Sequence, residues 1–485
     1  MMRHESMPID HLYAWAELNH VKLIGTTVEP HILAPDGSDK GGGLVVKTSH
    51  GPGEALLGVP LDLVLSKERV YEHAKADKQL KELLEAIPPL LQTPRAAVVL
   101  FLVYCMTINI QKTGFGLHGP FADYVKFLPK DIPGFPTFYS PDERDLLLGT
   151  SLSSALDDKL ASLEKEFQSL KESSRDIPWC QKVWWDDESG ILNLEDWKLA
   201  DALYRSRALD LPRGAGVGMV PVVDMANHAS DDRYNARFEV DEDQGQVLLV
   251  VRDDRTIAAG EEATIMYGVG GACEMIFSYG FLEEHASNAR EIFLGLSIPA
   301  DDPLRRAKIW FAEEAPGVRL YIDEADQIQW ESTFVWWACV NHEDGLDFLV
   351  EKTVDGDTDL KAIFDGQDLI AEQLPSRLQQ HYLHDVFLLR AVVMLQEVVA
   401  EQGEQLAQSQ VDFDALSPNT QVRQYVYETV GRLRRLEMGI LTRAYEALGN
   451  QKDALLKSDV VCRYLKQGDD VGETASLGDT EGDIS

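Results

Sequence analysis

The sequence predicts an α+β protein: a β-rich unit, split by a long helical insertion, followed by an all-α domain. Three observations carry this. Short β-branched runs stand near 42–65 and return at 217–268, 66–208 between them repeats apolar residues at helical spacing, and the chain after about 299 is dominated by long amphipathic segments. At 485 residues the chain is too long for one ordinary core, so two domains are expected, 1–298 and 299–466.

The first β run holds "GLVVKTS" (43–49) and "EALLGVPLDLVL" (54–65), separated by the turn "HGPG". The insertion opens with "SKERVYEHAKADKQLKELLEAI" (66–87) and later carries "SLSSALDDKLASLEKEFQSLKE" (151–172). Its most apolar run, "AAVVLFLVYCMTI" (96–108), is shorter than the roughly 20 residues a spanning helix needs. We read it as a core helix with Thr93 as N-cap, Pro94 as first helical residue and Gly114 as stop. Strands return with "VGMVPVVDM" (217–225), "ARFEVDEDQGQVLLVVRD" (236–253) and "EEATIMYG" (261–268), the middle one turning near Asp243 and Gly245. The segments 374–402 and 420–449 read as long amphipathic helices. The last 19 residues, 467–485, hold six acidic residues and no Lys or Arg, and are expected to be disordered.

The formal net charge is −36, from 45 basic and 81 acidic residues. That argues against nucleic acid and against anionic membranes, both of which are held by Lys and Arg. It fits basic partners, and it serves solubility equally well. The five cysteines are scattered with no metal-clip spacing, so neither a zinc site nor a disulfide framework is expected, and a reducing compartment follows. The N-terminus lacks the apolar core of a signal peptide.

Three stretches stand out: "KGGGLVV" (40–46), "DMANH" (224–228) and "YGVGGACEMIFSYGF" (267–281). Singly, each has a plain explanation. A glycine triplet is a turn or bulge, and this one lacks dinucleotide or P-loop spacing. Asn-His after a strand is a polar turn, and a Tyr at a strand end is half-buried packing.

In the order Gly-Gly-Leu strand, helical insertion, "DMANH", "GEEATIMYG" and "YGF", they resemble the SET-domain protein methyltransferases. The closer likeness is to the branch that includes the RuBisCO large-subunit methyltransferase, with its inserted helices and appended helical substrate-binding domain. "PFADYVKFLP" (120–129), "LLLGTSL" (146–152), "YRSRAL" (204–209) and "RLRRLEMGIL" (432–441) support it.

The resemblance implies transfer of a methyl group from S-adenosyl-L-methionine to a protein lysine. It implies that Tyr267 is the catalytic tyrosine and also touches the cofactor. Gly43, Leu44, Arg207, Asn227 and His228 would bind the cofactor, and Asp224, Tyr279 and Phe281 the substrate. No metal is implied. The implied partner is a basic, non-histone protein such as a ribosomal protein, met by a monomer in the cytoplasm or nucleus. Two positions depart from the family pattern: Lys40 stands where many relatives have an acid, and Ala272 where many have Asn. Two alternatives stay open: a histidine acceptor on the same fold, and a catalytically silent module that binds a basic protein.

Overall fold

The computed structural model describes residues 6–33, 40–88, 90–111, 115–283, 290–312, 316–352, 358–416 and 421–466. The chain forms two compact units. The first comprises Met1–Ser140, Ser154–Gly270 and Glu274–Asn288; the second comprises Pro141–Ser153, Gly271–Cys273 and Ala289–Ser485. Residues 141–153, placed in the insertion by sequence, thus cluster with the second unit.

Two four-stranded sheets and a two-stranded ribbon make the β part of the first unit. One sheet runs Lys22–Leu23, Ala55–Pro60, Gln246–Val251, Ala236–Asp241. The other runs Thr26–Glu29, Gly43–Val46, Glu262–Ile265, Asn227–His228. In this second sheet Glu262–Ile265 is the hub. Its Glu262 and Ala263 register antiparallel against Val45 and Leu44. Its Thr264 and Ile265 register parallel against Asn227 and His228. One short strand therefore gathers residues from three distant parts of the chain.

The insertion is helical. Lys67–Ala76, Lys78–Ala86, Pro94–Gln111 and Leu194–Arg207 pack around a core in which Ala97 to Leu102 are all fully buried. Pro94–Gln111 is apolar all round because it is enclosed all round. The Thr93 hydroxyl accepts from the Ala96 amide at 3.2 Å, which makes it the cap. Gly114 lies outside the described residues. Among the described residues no helix is long and apolar enough to cross a membrane.

The run "VGMVPVVDM" is not one strand. Extended structure covers Gly216–Met219 only, paired with Ala208–Leu211. Pro221 has no amide to continue a ladder, and Val222 then takes φ 72° and ψ −42°, a conformation that a β-branched residue adopts only under constraint. A 3₁₀ turn, Val223–Met225, follows before the chain extends again at Asn227–His228.

The second unit is not all-α. Alongside the long helices His384–Gln408 and Gln424–Leu455 it holds two three-stranded antiparallel sheets. They are Glu291–Gly295 with Gly317–Ile322 and Ile328–Glu331, and Leu346–Lys352 with Thr358–Phe364 and Gln367–Leu369. The α+β class holds; the helical expectation for this region was too simple. "FDGQ" turns the second sheet with Asp365 at φ 52° and Gly366 at φ 73°, the two positive values an Asp-Gly hairpin turn requires.

Segment 141–153 is fastened within this unit by charge. Arg423 Nε donates to Glu143 Oε1 and its Nη2 to Oε2, each at 2.6 Å. Arg434 is buried and donates to the Leu148 carbonyl at 2.6 Å and the Leu406 carbonyl at 2.8 Å. Glu437, also buried, accepts from the Ser151 amide at 3.0 Å and hydroxyl at 2.5 Å. The tail 467–485 lies outside the described residues.

Candidate active site

The strand Glu262–Ile265 runs out through Met266 into Tyr267, the residue around which the others assemble. The Tyr267 amide donates to His228 Nδ1 at 3.1 Å, which fixes the ring nitrogen as an acceptor. The Tyr267 hydroxyl donates to the Ala226 carbonyl at 2.8 Å. The Tyr279 hydroxyl donates to the Tyr267 carbonyl at 3.1 Å, with the two rings 4.7 Å apart. His228 lies 5.2 Å from the Tyr267 ring and 6.1 Å from the Phe281 ring. Tyr279 ends the helix Ala272–Tyr279, and Arg205 holds that helix by donating to the Phe277 carbonyl. Four of the sequence-predicted residues thus form one aromatic cluster.

Burial pushes the Tyr267 phenol well above its ordinary range. It stays protonated at neutral pH. Its proton is committed to Ala226, so toward an approaching group the hydroxyl offers oxygen lone pairs.

Gly43 and Asn227 meet across the hub strand. Asn227 Nδ2 donates to Glu262 Oε1 at 2.7 Å and to the Gly42 carbonyl at 3.2 Å. A Cβ on Gly43 would fall 2.7 Å from Asn227 Nδ2, 2.8 Å from Ile32 Cγ1 and 2.9 Å from Glu262 Oε1, so a side chain there would force these neighbours to shift. Leu44 is fully buried and registered between Val28 and Ala263, so it anchors the strand. Lys40 pairs with Glu262 Oε2 at 2.5 Å. Lys40, which departs from the family pattern, is thus paired with an acid of the hub strand.

Asp224 and Arg207 form a second, buried centre. Arg207 Nη1 donates to the Asp224 main-chain carbonyl at 2.9 Å and lies 3.6 Å from its Oδ2. The Tyr124 hydroxyl donates to Asp224 Oδ1. Burial raises the Asp224 carboxyl above its ordinary range, opposed by Arg207 and Tyr124. Sequence reasoning missed Glu262, Ala226 and Tyr124. Glu262 sits five residues before Tyr267 in "EEATIMY" and had a signal; a main-chain carbonyl such as that of Ala226 has none.

This architecture has known counterparts. Residues of the chain align with a solved structure of the SET domain of LSMT bound to lysine and AdoHcy, at TM-score 0.65 and 17% identity, covering 97% of this chain and 98% of that one. The chain therefore has a SET-domain fold. Among curated proteins it is similar to SET domain-containing protein 8 of Schizosaccharomyces pombe, 28% identical over 437 residues, which are 88% of this chain and 92% of that protein. It is also similar to the RuBisCO large subunit N-methyltransferase of Nicotiana tabacum, 25% identical over 63% of this chain and 57% of that protein. A third SET relative is N-lysine methyltransferase setd6 of Xenopus tropicalis, 23% identical over 59% of each. The chain thus spans nearly all of the yeast protein and under two thirds of the other two. No family model matches. Among the described residues no group of three or more His, Cys, Asp and Glu is arranged to hold a metal ion.

Proposed function

We propose that this chain is an S-adenosyl-L-methionine-dependent protein-lysine N-methyltransferase. The observation that supports it most is the convergence on Tyr267: a protonated hydroxyl on a half-buried ring, its proton held by Ala226, ringed by His228 and Tyr279. When bound, the cofactor supplies an electrophilic methyl group on a sulfonium. Gly43, Asn227 and His228 would hold it, with Leu44 anchoring their strand and Arg207 near by. The residues fit such a group: a side chain at Gly43 would displace Asn227 and Glu262, and a polar rim of Lys40, Glu262 and Asn227 surrounds it.

The chain's own residues then have three tasks. The Tyr267 oxygen faces positive charge with lone pairs, individually a weak contact whose value lies in alignment. The Tyr279 and Phe281 rings exclude water and favour a neutral amine before reaction, since burial lowers an amine's pKa. They then attract the cationic product through their faces. Asp224, expected at the substrate end, is instead buried against Arg207 and Tyr124, where it would support the site from behind.

The proposed substrate is a basic protein, which a net charge of −36 attracts; the non-histone, ribosomal kind is what the family resemblance implies. A monomer working in the cytoplasm or nucleus suits such a target. The test is incubation of the purified chain with isotopically labelled S-adenosyl-L-methionine and a cell lysate, followed by mass spectrometry. Label on lysine is expected. Label on histidine would move the acceptor class, and cofactor binding without transfer would mark a silent module.

A further inference from the structure

The stretch "PFADYVKFLP" ends a short helix, Pro120–Tyr124, at a phenol that is 1% exposed. The ring is held by Trp15, 5.4 Å away, and the indole of Trp15 donates to the Pro120 carbonyl at 2.9 Å. The hydroxyl therefore has little freedom, and it donates to Asp224 Oδ1.

Asp224 has few other supports. Its Oδ2 is buried without a hydrogen-bond partner. Arg207 stands 3.6 Å from that oxygen and gives its hydrogen bond to the main-chain carbonyl of Asp224 instead. The titratable groups facing the carboxylate are Tyr124 from the insertion, Arg207 from the helix Leu194–Arg207, and Tyr267 beyond the hub strand. Among the described residues Tyr124 is its close side-chain donor, with Arg207 at 3.6 Å and the Val222 main chain adding support. A buried carboxylate deprived of its donor is costly and takes up a proton more readily.

Two residues after Asp224, the Ala226 carbonyl receives the Tyr267 hydroxyl, and Asn227 follows. The turn Val223–Met225 that connects them is entered through the constrained Val222. From this geometry we infer that Tyr124 is a positioning residue: its hydroxyl keeps Asp224 a carboxylate facing Arg207, and the pair fixes the turn that presents Ala226 to Tyr267. The role in methyl transfer rests on the function proposed above; the Tyr124–Asp224 coupling does not.

The test compares wild type, Tyr124→Phe, Asp224→Asn and the double variant, each as the full chain. Thermal unfolding without cofactor is followed from about pH 5 to pH 8. The hydroxyl acts on the carboxylate, so Tyr124→Phe raises the pH at which Asp224 ionises in the folded state. Its loss of melting temperature then grows as pH rises, and in the Asp224→Asn background, which keeps an acceptor but cannot ionise, that growth with pH disappears. In the transfer assay Tyr124→Phe lowers kcat/KM about tenfold at neutral pH and moves the acid limb of the profile to higher pH. A melting loss that is equal at every pH, or whose pH dependence persists beside Asp224→Asn, would reduce Tyr124 to packing and overturn the inference. If wild type transfers no methyl group, the functional proposal fails while the unfolding series still decides the coupling.

Discussion

A buried phenol that donates to a main-chain carbonyl behaves as an acceptor toward whatever arrives next. That is the condition of Tyr267, and it removes a role as general base near neutral pH, because burial keeps the proton on. Gly43 is the other residue whose identity the site dictates. Gly43→Ala should weaken cofactor binding by about tenfold or more and lower the melting temperature, since overpacking costs about 1–3 kcal/mol. Calorimetry and thermal unfolding check this; unchanged affinity would mean that Asn227 and Glu262 move aside freely. At this scale much was legible. Tyr267, His228, Tyr279 and Phe281 were named from the family resemblance, and they do converge. Tyr124 was not, because its partner lies 100 positions away and a buried tyrosine looks the same in sequence whether it packs or positions. Nor was the strain at Val222, since nothing in a valine announces a positive φ.

Among the elements, the fastening of segment 141–153 makes a pH prediction. Burial raises the Glu437 carboxyl to about 7, against the two hydrogen bonds from Ser151 and the charge of Arg434. Its folded value lies above the unfolded one, so the folded state holds the extra proton between about pH 4.5 and 7. Stability from this group is present in mild acid and is lost as pH rises through that window, by on the order of 3 kcal/mol. Glu437→Gln keeps an acceptor for Ser151 and cannot ionise. Its melting temperature should fall less than that of wild type between pH 5 and pH 8, and parallel curves would refute the assignment. The elements also show where pattern reading stopped. The helices 384–408 and 424–455 announced themselves by long apolar periodicity. The six short strands of the second unit did not, because runs of three to seven residues carry little periodic signal beside such helices. The Asp365–Gly366 turn was the one local clue to them.

For the whole molecule the dominant quantity is charge. A net charge of −36 should draw a basic substrate and make its association slow as salt rises, because exposed charges lose reach when the screening length falls to about 10 Å near 0.1 M. Stopped-flow association across a salt series checks this, and a chain ending at Lys466 isolates the part owed to the acidic tail. A salt-independent rate would defeat the electrostatic argument. The proposed methyl transfer turns on one hydroxyl, that of Tyr267. The most direct measurement is the turnover of Tyr267→Phe beside its affinity for S-adenosyl-L-methionine. A group that acts mainly in the transition state should lower kcat by about tenfold to a hundredfold while the Kd changes by less than about threefold. Methylation of lysine by Tyr267→Phe at the wild-type rate would contradict it.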